Sequence, residues 1–158
     1  MYEDIESFKL YMNDVGLLTN LSEFPIYLIQ NRDAFNESMM GMLTENYVAS
    51  SLKYSGNSLY YWKNDYSSVV DFIARSNKEL IISIEVKANT NVKSRSLNNY
   101  IEEYKPKCSI RLSNRNFEFV NGIKLVPLYA TFCITKESLD NISKKRSDVF
   151  FLNVFDWY

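Results

Sequence analysis

The stretch from Leu59 to Lys87 constrains the fold most. Three short runs, LYYWK (59–63), SVVDFIA (68–74) and ELIISIEVK (79–87), are rich in β-branched and aromatic residues. Such side chains suit a pleated, half-buried surface, so each run predicts a strand. The links NDYSS and RSNK are short and polar. Neither can hold a crossover helix, so the three strands follow one another as a meander.

The segments on either side supply the cover. In NESMMGMLTENYVASSLKYSG, Asn36 is a candidate N-cap and Gly56 a candidate terminator of a long helix. Met42, Glu45, Val48, Ala49 and Leu52 recur at helical spacing and share one face. A glutamate within that apolar stripe is unexpected. After the meander, SLNNYIEEYK (96–105) predicts a second helix with Ser96 as a possible cap. KCSIRLS (107–113) and NFEFV (116–120) predict further strands. GIKLVPLYATFCI (122–134) fits strand or helix, and Pro127 argues against one continuous element. Residues 1–35 read as a helical extension packed on a body formed by 36–158, within a single domain overall. The tail from Lys136 predicts a short helix and an apolar terminal segment. The sum is an α/β fold with a mixed sheet, in the order helix, three strands, helix, strand, with extra helices at both ends.

Three charges stand out on the meander. Side chains alternate along a strand. Glu85 and Lys87 therefore share one face near the end of the third strand. Val69, Asp71 and Ile73 share a face of the second, and hairpin pairing would bring Asp71 near Glu85. Two close carboxylates repel unless a cation neutralises them. Mg²⁺ or Mn²⁺ suits such a pair, with few carboxylates and waters completing an octahedron, and the Val86 carbonyl could add a ligand. A lysine beside the ion could orient water or stabilise developing phosphate charge. Glu45, on the covering helix, could support the metal shell. The plain alternative is a strand ion pair of small energetic value.

Other features set boundaries. The 158 residues suffice for one domain with a real core. The formal charge of −1 announces no global nucleic-acid binder, although a local basic patch is compatible with it. With no histidine, the Ser-His-Asp and Cys-His mechanisms and the Cys/His zinc sites are excluded. Cys108 and Cys133 read as reduced core residues. The acidic start lacks the apolar run of a signal peptide, and no stretch is apolar enough for a membrane span. A cytoplasmic location is the expectation.

The spacing Glu45, Asp71, then Glu85-x-Lys87 resembles the PD-(D/E)xK, or restriction-endonuclease-like, superfamily. More of the chain is similar to the C-terminal domain of unknown function found in prokaryotic AAA-type ATPases. FKLYMNDVGLL, TENYVASSL, LYYWKND, VDFIA, IEVKANTNVKSRSLNNYIEEYKP, IRLSNRNF and VPLYATF carry this second resemblance. It implies a nuclease-like core over 36–158 that acts on DNA or RNA beside an ATPase module. Asp71, Glu85, Lys87 and Glu45 would be catalytic, and Asp71, Glu85 and Val86 would hold Mg²⁺ or Mn²⁺. The implied alternative is an inactive module that binds nucleic acid or protein, or regulates an ATPase. The family often has Glu two residues before the strand aspartate, where this chain has Val69. No P-loop signature occurs, so this chain does not hydrolyse ATP by that route. Lys93, Arg95, Ser96 and Arg111 are the candidate nucleic-acid contacts, with a solvated loop as the alternative for the first three. The KKR run at 144–146 and the aromatics of LYYWK read as a solvated run and as core packing.

Overall fold

The computed structural model describes residues 7–23, 25, 27, 37–64, 68–89 and 94–142. Its centre is a six-stranded mixed sheet in the order β1-β2-β3-β4-β6-β5. The strands are β1 (Tyr60–Lys63), β2 (Val69–Arg75), β3 (Ile81–Val86), β4 (Ser109–Ser113), β5 (Glu118–Val120) and β6 (Ile123–Pro127). The described helices are α1 (Val15–Leu21), α2 (Glu37–Tyr54), α3 (Arg95–Tyr104) and α4 (Lys136–Asp140), with a 3-10 turn at Leu128–Cys133.

The meander is antiparallel throughout, β1 on β2 and β2 on β3. The chain then crosses over α3, so β4 lies parallel to β3, and β6 lies parallel to β4. The order helix, three strands, helix, strand is therefore present in α2, β1–β3, α3 and β4. The ambiguous run 122–134 is both things in turn. It is strand up to Pro127 and 3-10 turn beyond it, which is where a residue without an amide proton ends a ladder.

Each face of the sheet has its own core. Phe72, Ala74, Ile82, Ile84, Val86, Ile110 and Leu112 pack with Val48, Ala49 and Leu52 of α2. On the other face Val70, Ile73, Ile123 and Leu125 pack with Leu97 and Tyr100 of α3. Trp62 meets Tyr100 and Tyr104 edge-on at 5.3 and 5.9 Å between centroids, so this part of LYYWK is packing. The expected stripe on α2 needs one correction. Met42 is exposed, and the buried face runs instead through Leu43, Val48, Ala49 and Leu52. Gly56 follows α2 at φ +80°, a conformation open to glycine, and its N–H bonds the Lys53 carbonyl at 3.0 Å. Asn57 then ties the helix end to the 3-10 turn by donating to the carbonyls of Leu52 and Ile134.

The alternation expected along β2 fails at one point. Tyr60 pairs with Ile73 and Trp62 with Val70, so Tyr61 alone faces both Asp71 and Phe72. This is a β-bulge. It puts Val70, not Val69, on the same face as Ile73, and both enter the core beneath α3. Asn36, Lys93, the KKR run and the terminal apolar segment lie outside the described residues.

Candidate functional site

The bulge sets Asp71 at the point where the β2–β3 ladder stops. Main-chain pairing runs from Arg75↔Ile81 to Phe72↔Ile84, and one further step along that register would set Asp71 beside Glu85. There the side chain replaces the main chain. Asp71 Oδ2 accepts the Val86 N–H at 2.8 Å. The next amide, Lys87 N–H, turns the other way and bonds the Leu112 carbonyl of β4 at 2.8 Å. Asp71 is thus fixed to the residue between Glu85 and Lys87.

Glu85 is buried, only 3% exposed, and fully engaged. Its Oε1 accepts a short hydrogen bond from Ser94 Oγ and lies 3.3 Å from Lys87 Nζ. Its Oε2 accepts from Arg111 Nε at 3.1 Å. The sheet makes this possible, because Glu85 and Arg111 are register partners on parallel strands. Ser94, rather than Ser96, caps α3: its Oγ accepts the Leu97 N–H at 3.1 Å while donating to Glu85. Ser96 lies half-buried in the first turn, and Arg95 is exposed beside it. Arg111, a candidate nucleic-acid contact, does not stand out in solvent. It is 6% exposed, because its charge neutralises a buried carboxylate.

On the α2 face Glu45 is held from an unforeseen direction. Oε1 accepts from Lys9 Nζ at 2.8 Å and from Tyr11 OH at 2.6 Å. The segment carrying them is docked by Asn46, whose side chain bonds both the N–H and the carbonyl of Met12. Tyr11 also packs on Phe72, with centroids 5.6 Å apart. Burial, then the Glu45 carboxylate, pushes the Tyr11 phenol well above its usual range. Nothing in the spacing of FKLYMN marks Lys9 and Tyr11 as site residues; their alternation at i and i+2 is the one available sign.

Asp71 lies in the field of both groups. Burial pushes its carboxyl up to about 6, the Val86 N–H pulls it down, Glu45 pushes it up, Lys9 pulls it down and Glu85 adds a smaller push. Burial and two like charges together disfavour its ionised form despite the amide. Among the described residues no three His, Cys, Asp or Glu side chains converge as a metal-holding group. The donor chemistry that is present is one carboxylate short of positive charge, Asp71, beside a second, Glu85, already shared among Lys87, Arg111 and Ser94. A single carboxylate with waters can hold Mg²⁺, so the chemistry of Asp71 fits such an ion, whereas both oxygens of Glu85 are already engaged.

The fold and this site define a mixed α/β domain with a charged cluster at the end of its two central strands. The chain belongs to the family described as a domain of unknown function (DUF4143), which matches residues 40–131. That match includes Glu45, Asp71, Glu85, Lys87 and Arg111, and it leaves Lys9 and Tyr11 outside. No curated protein matches the chain. A solved structure similar to part of it is the "Refined half-complex from tetradecameric assembly of Thermococcus gammatolerans McrB AAA+ hexamers with bound McrC". The identity is 17%, the TM-score 0.43, and the match covers 65% of this chain and 33% of that one. The chain therefore spans about a third of that neighbour's length. Among the described residues no helix is long and apolar enough to cross a membrane.

Proposed function

We propose that this domain is a restriction-endonuclease-like module that hydrolyses DNA or RNA phosphodiesters with a divalent cation, beside an AAA-type ATPase module. One observation carries the reading. The 2.8 Å bond from Val86 N–H to Asp71 Oδ2 ties the aspartate of one strand to the main chain between Glu85 and Lys87 of the next.

Asp71 and Glu85 would hold Mg²⁺ or Mn²⁺, with the Val86 carbonyl as the third protein ligand. The ion would supply Lewis-acid charge and an acidified water. Lys87, 35% exposed at its side chain, is free to turn from Glu85 toward a phosphate or an attacking water. Glu45, steadied by Lys9 and Tyr11, would accept a hydrogen bond from metal-bound water. In this reading a bound cation would offset the burial and like charge that raise the Asp71 pKa.

A second reading has its own support. Both oxygens of Glu85 are already occupied by Ser94, Lys87 and Arg111. A carboxylate so completely satisfied suits a noncatalytic module that uses the same fold to bind nucleic acid or protein, or to regulate the ATPase.

The deciding experiment is a cleavage assay on supercoiled, linear and single-stranded DNA and on RNA, with Mg²⁺ or Mn²⁺. Wild type runs beside Lys87→Ala and Asp71→Ala. Metal-dependent cutting that both variants lose supports hydrolysis. No cutting by well-folded wild type at high concentration, metal present, overturns it in favour of the second reading.

A further inference from the structure

Arg111 is only partly used by Glu85. The carboxylate engages Nε, one of the five N–H donors of the guanidinium. The side chain is 7% exposed, and that exposure opens onto a cleft of about 720 Å³ between α3 and the β5–β6 hairpin. The size is that of a small-molecule site.

The cleft has a basic end. Arg111 lies there with Arg95 and Arg115, near the start of α3. The first turn of α3 carries Arg95 and no acidic residue. Cationic charge at a helix N-terminus opposes the helix dipole, and an anion there would satisfy both. Ile101, Val120, Ile123 and Leu125 form an apolar wall, with Leu125 beside Arg111 as its register partner on β6. Two acids, Glu102 and Glu118, line the remainder, and Glu118 stands 3.9 Å from Arg115, an exposed and weak pair.

We infer that this cleft binds a nucleotide phosphate, with the phosphate on Arg111, Arg95 and Arg115 and the base against the apolar wall. A guanidinium that lines the cleft and presents a fork of N–H donors is suited to paired phosphate oxygens. Glu102 and Glu118 are acceptors for sugar hydroxyls. The inference holds with or without hydrolysis at Asp71 and Glu85, since binding here uses no divalent ion. The phosphate could come from a free nucleotide or from a nucleic-acid strand.

The test uses the whole chain with EDTA present, so that metal and hydrolysis play no part. Inorganic phosphate, a thymidine mononucleotide and a short oligothymidylate are titrated by calorimetry. The Arg111 Nε–H resonance is followed in parallel by NMR. The variant is Arg95→Gln with Arg115→Gln, both side chains exposed, its fold checked by its melting curve. Saturable binding that shifts the Arg111 resonance and weakens about tenfold or more in the variant supports the site. Equal affinity for mononucleotide and oligonucleotide assigns a free nucleotide, and tighter oligonucleotide binding with the same loss assigns a strand. Equal affinity for inorganic phosphate and mononucleotide overturns the nucleotide class. No saturable binding, or binding the variant retains in full, overturns the site.

Discussion

Asp71 Oδ2 and the Val86 N–H, 2.8 Å apart, close the β2–β3 ladder with a side chain where a carbonyl would ordinarily stand. This contact fixes the position of the aspartate, while burial raises its pKa against the pull of the amide, and the predictions begin from that pair of effects.

Stability should fall as pH rises from about 4 to about 6. Burial raises the folded pKa of Asp71 to about 6 from an ordinary 3.8, so the folded state binds the extra proton in that window. A carboxyl raised in this way favours folding when protonated, and that advantage is lost on ionisation. Asp71→Asn keeps an acceptor for Val86 N–H without the charge. It should flatten this part of the profile and gain about 1–3 kcal/mol at neutral pH. Urea denaturation across the pH range reads both effects.

Mn²⁺ or Mg²⁺ should reverse that slope if the proposed site binds a cation. At a hundredfold excess over its dissociation constant an ion bound only to the folded state adds about 2.7 kcal/mol. The gain should grow with pH through the Asp71 titration and vanish in Asp71→Asn. Thermal melts with and without metal at pH 5 and pH 7.5 suffice, and a metal effect that survives the substitution would place the ion elsewhere.

Arg111→Met should cost about 3–5 kcal/mol, because it strands the buried Glu85 carboxylate with only Lys87 and Ser94. Adding Glu85→Gln should recover a large part of that loss. A double-mutant cycle by denaturant unfolding measures the coupling. Additive costs would mean that Arg111 stabilises by packing rather than by charge.

Ser94→Ala removes the α3 cap and the hydroxyl donated to Glu85 in one step. The expected cost is about 1–3 kcal/mol. Ser96→Ala should cost little, since Ser96 makes no capping bond. Amide hydrogen exchange in the first turn of α3 separates the two.

The sheet was legible because its signals are local. β-Branched runs, short polar links and Pro127 mark strands and their ends without help from the rest of the chain. Asp71, Glu85 and Lys87 were legible for a related reason: charge in apolar strands is conspicuous. Lys9, Tyr11 and the inward turn of Arg111 were not, since each depends on a contact between residues far apart in sequence. Ser94 lost to Ser96 as the expected cap through a shift of two positions, the usual scale of error at helix ends. The bulge was invisible for a different cause. Regular alternation predicts faces only where no residue is added, and nothing in VVDFIA announces the addition.

That addition changes what kind of residue Asp71 is. Val70 and Ile73 both face α3, and an even strand would leave one place between them on the opposite side. The bulge makes two. Phe72 takes one and fills the core beneath α2, while Asp71 has the other. Deleting Asp71 would leave Val70, Phe72 and Ile73 in plain alternation, each still in its own layer. The aspartate is therefore surplus to the architecture. The strand is complete without it and bends to carry it, so shortening β2 by that one residue should yield a better-formed sheet that has lost its site.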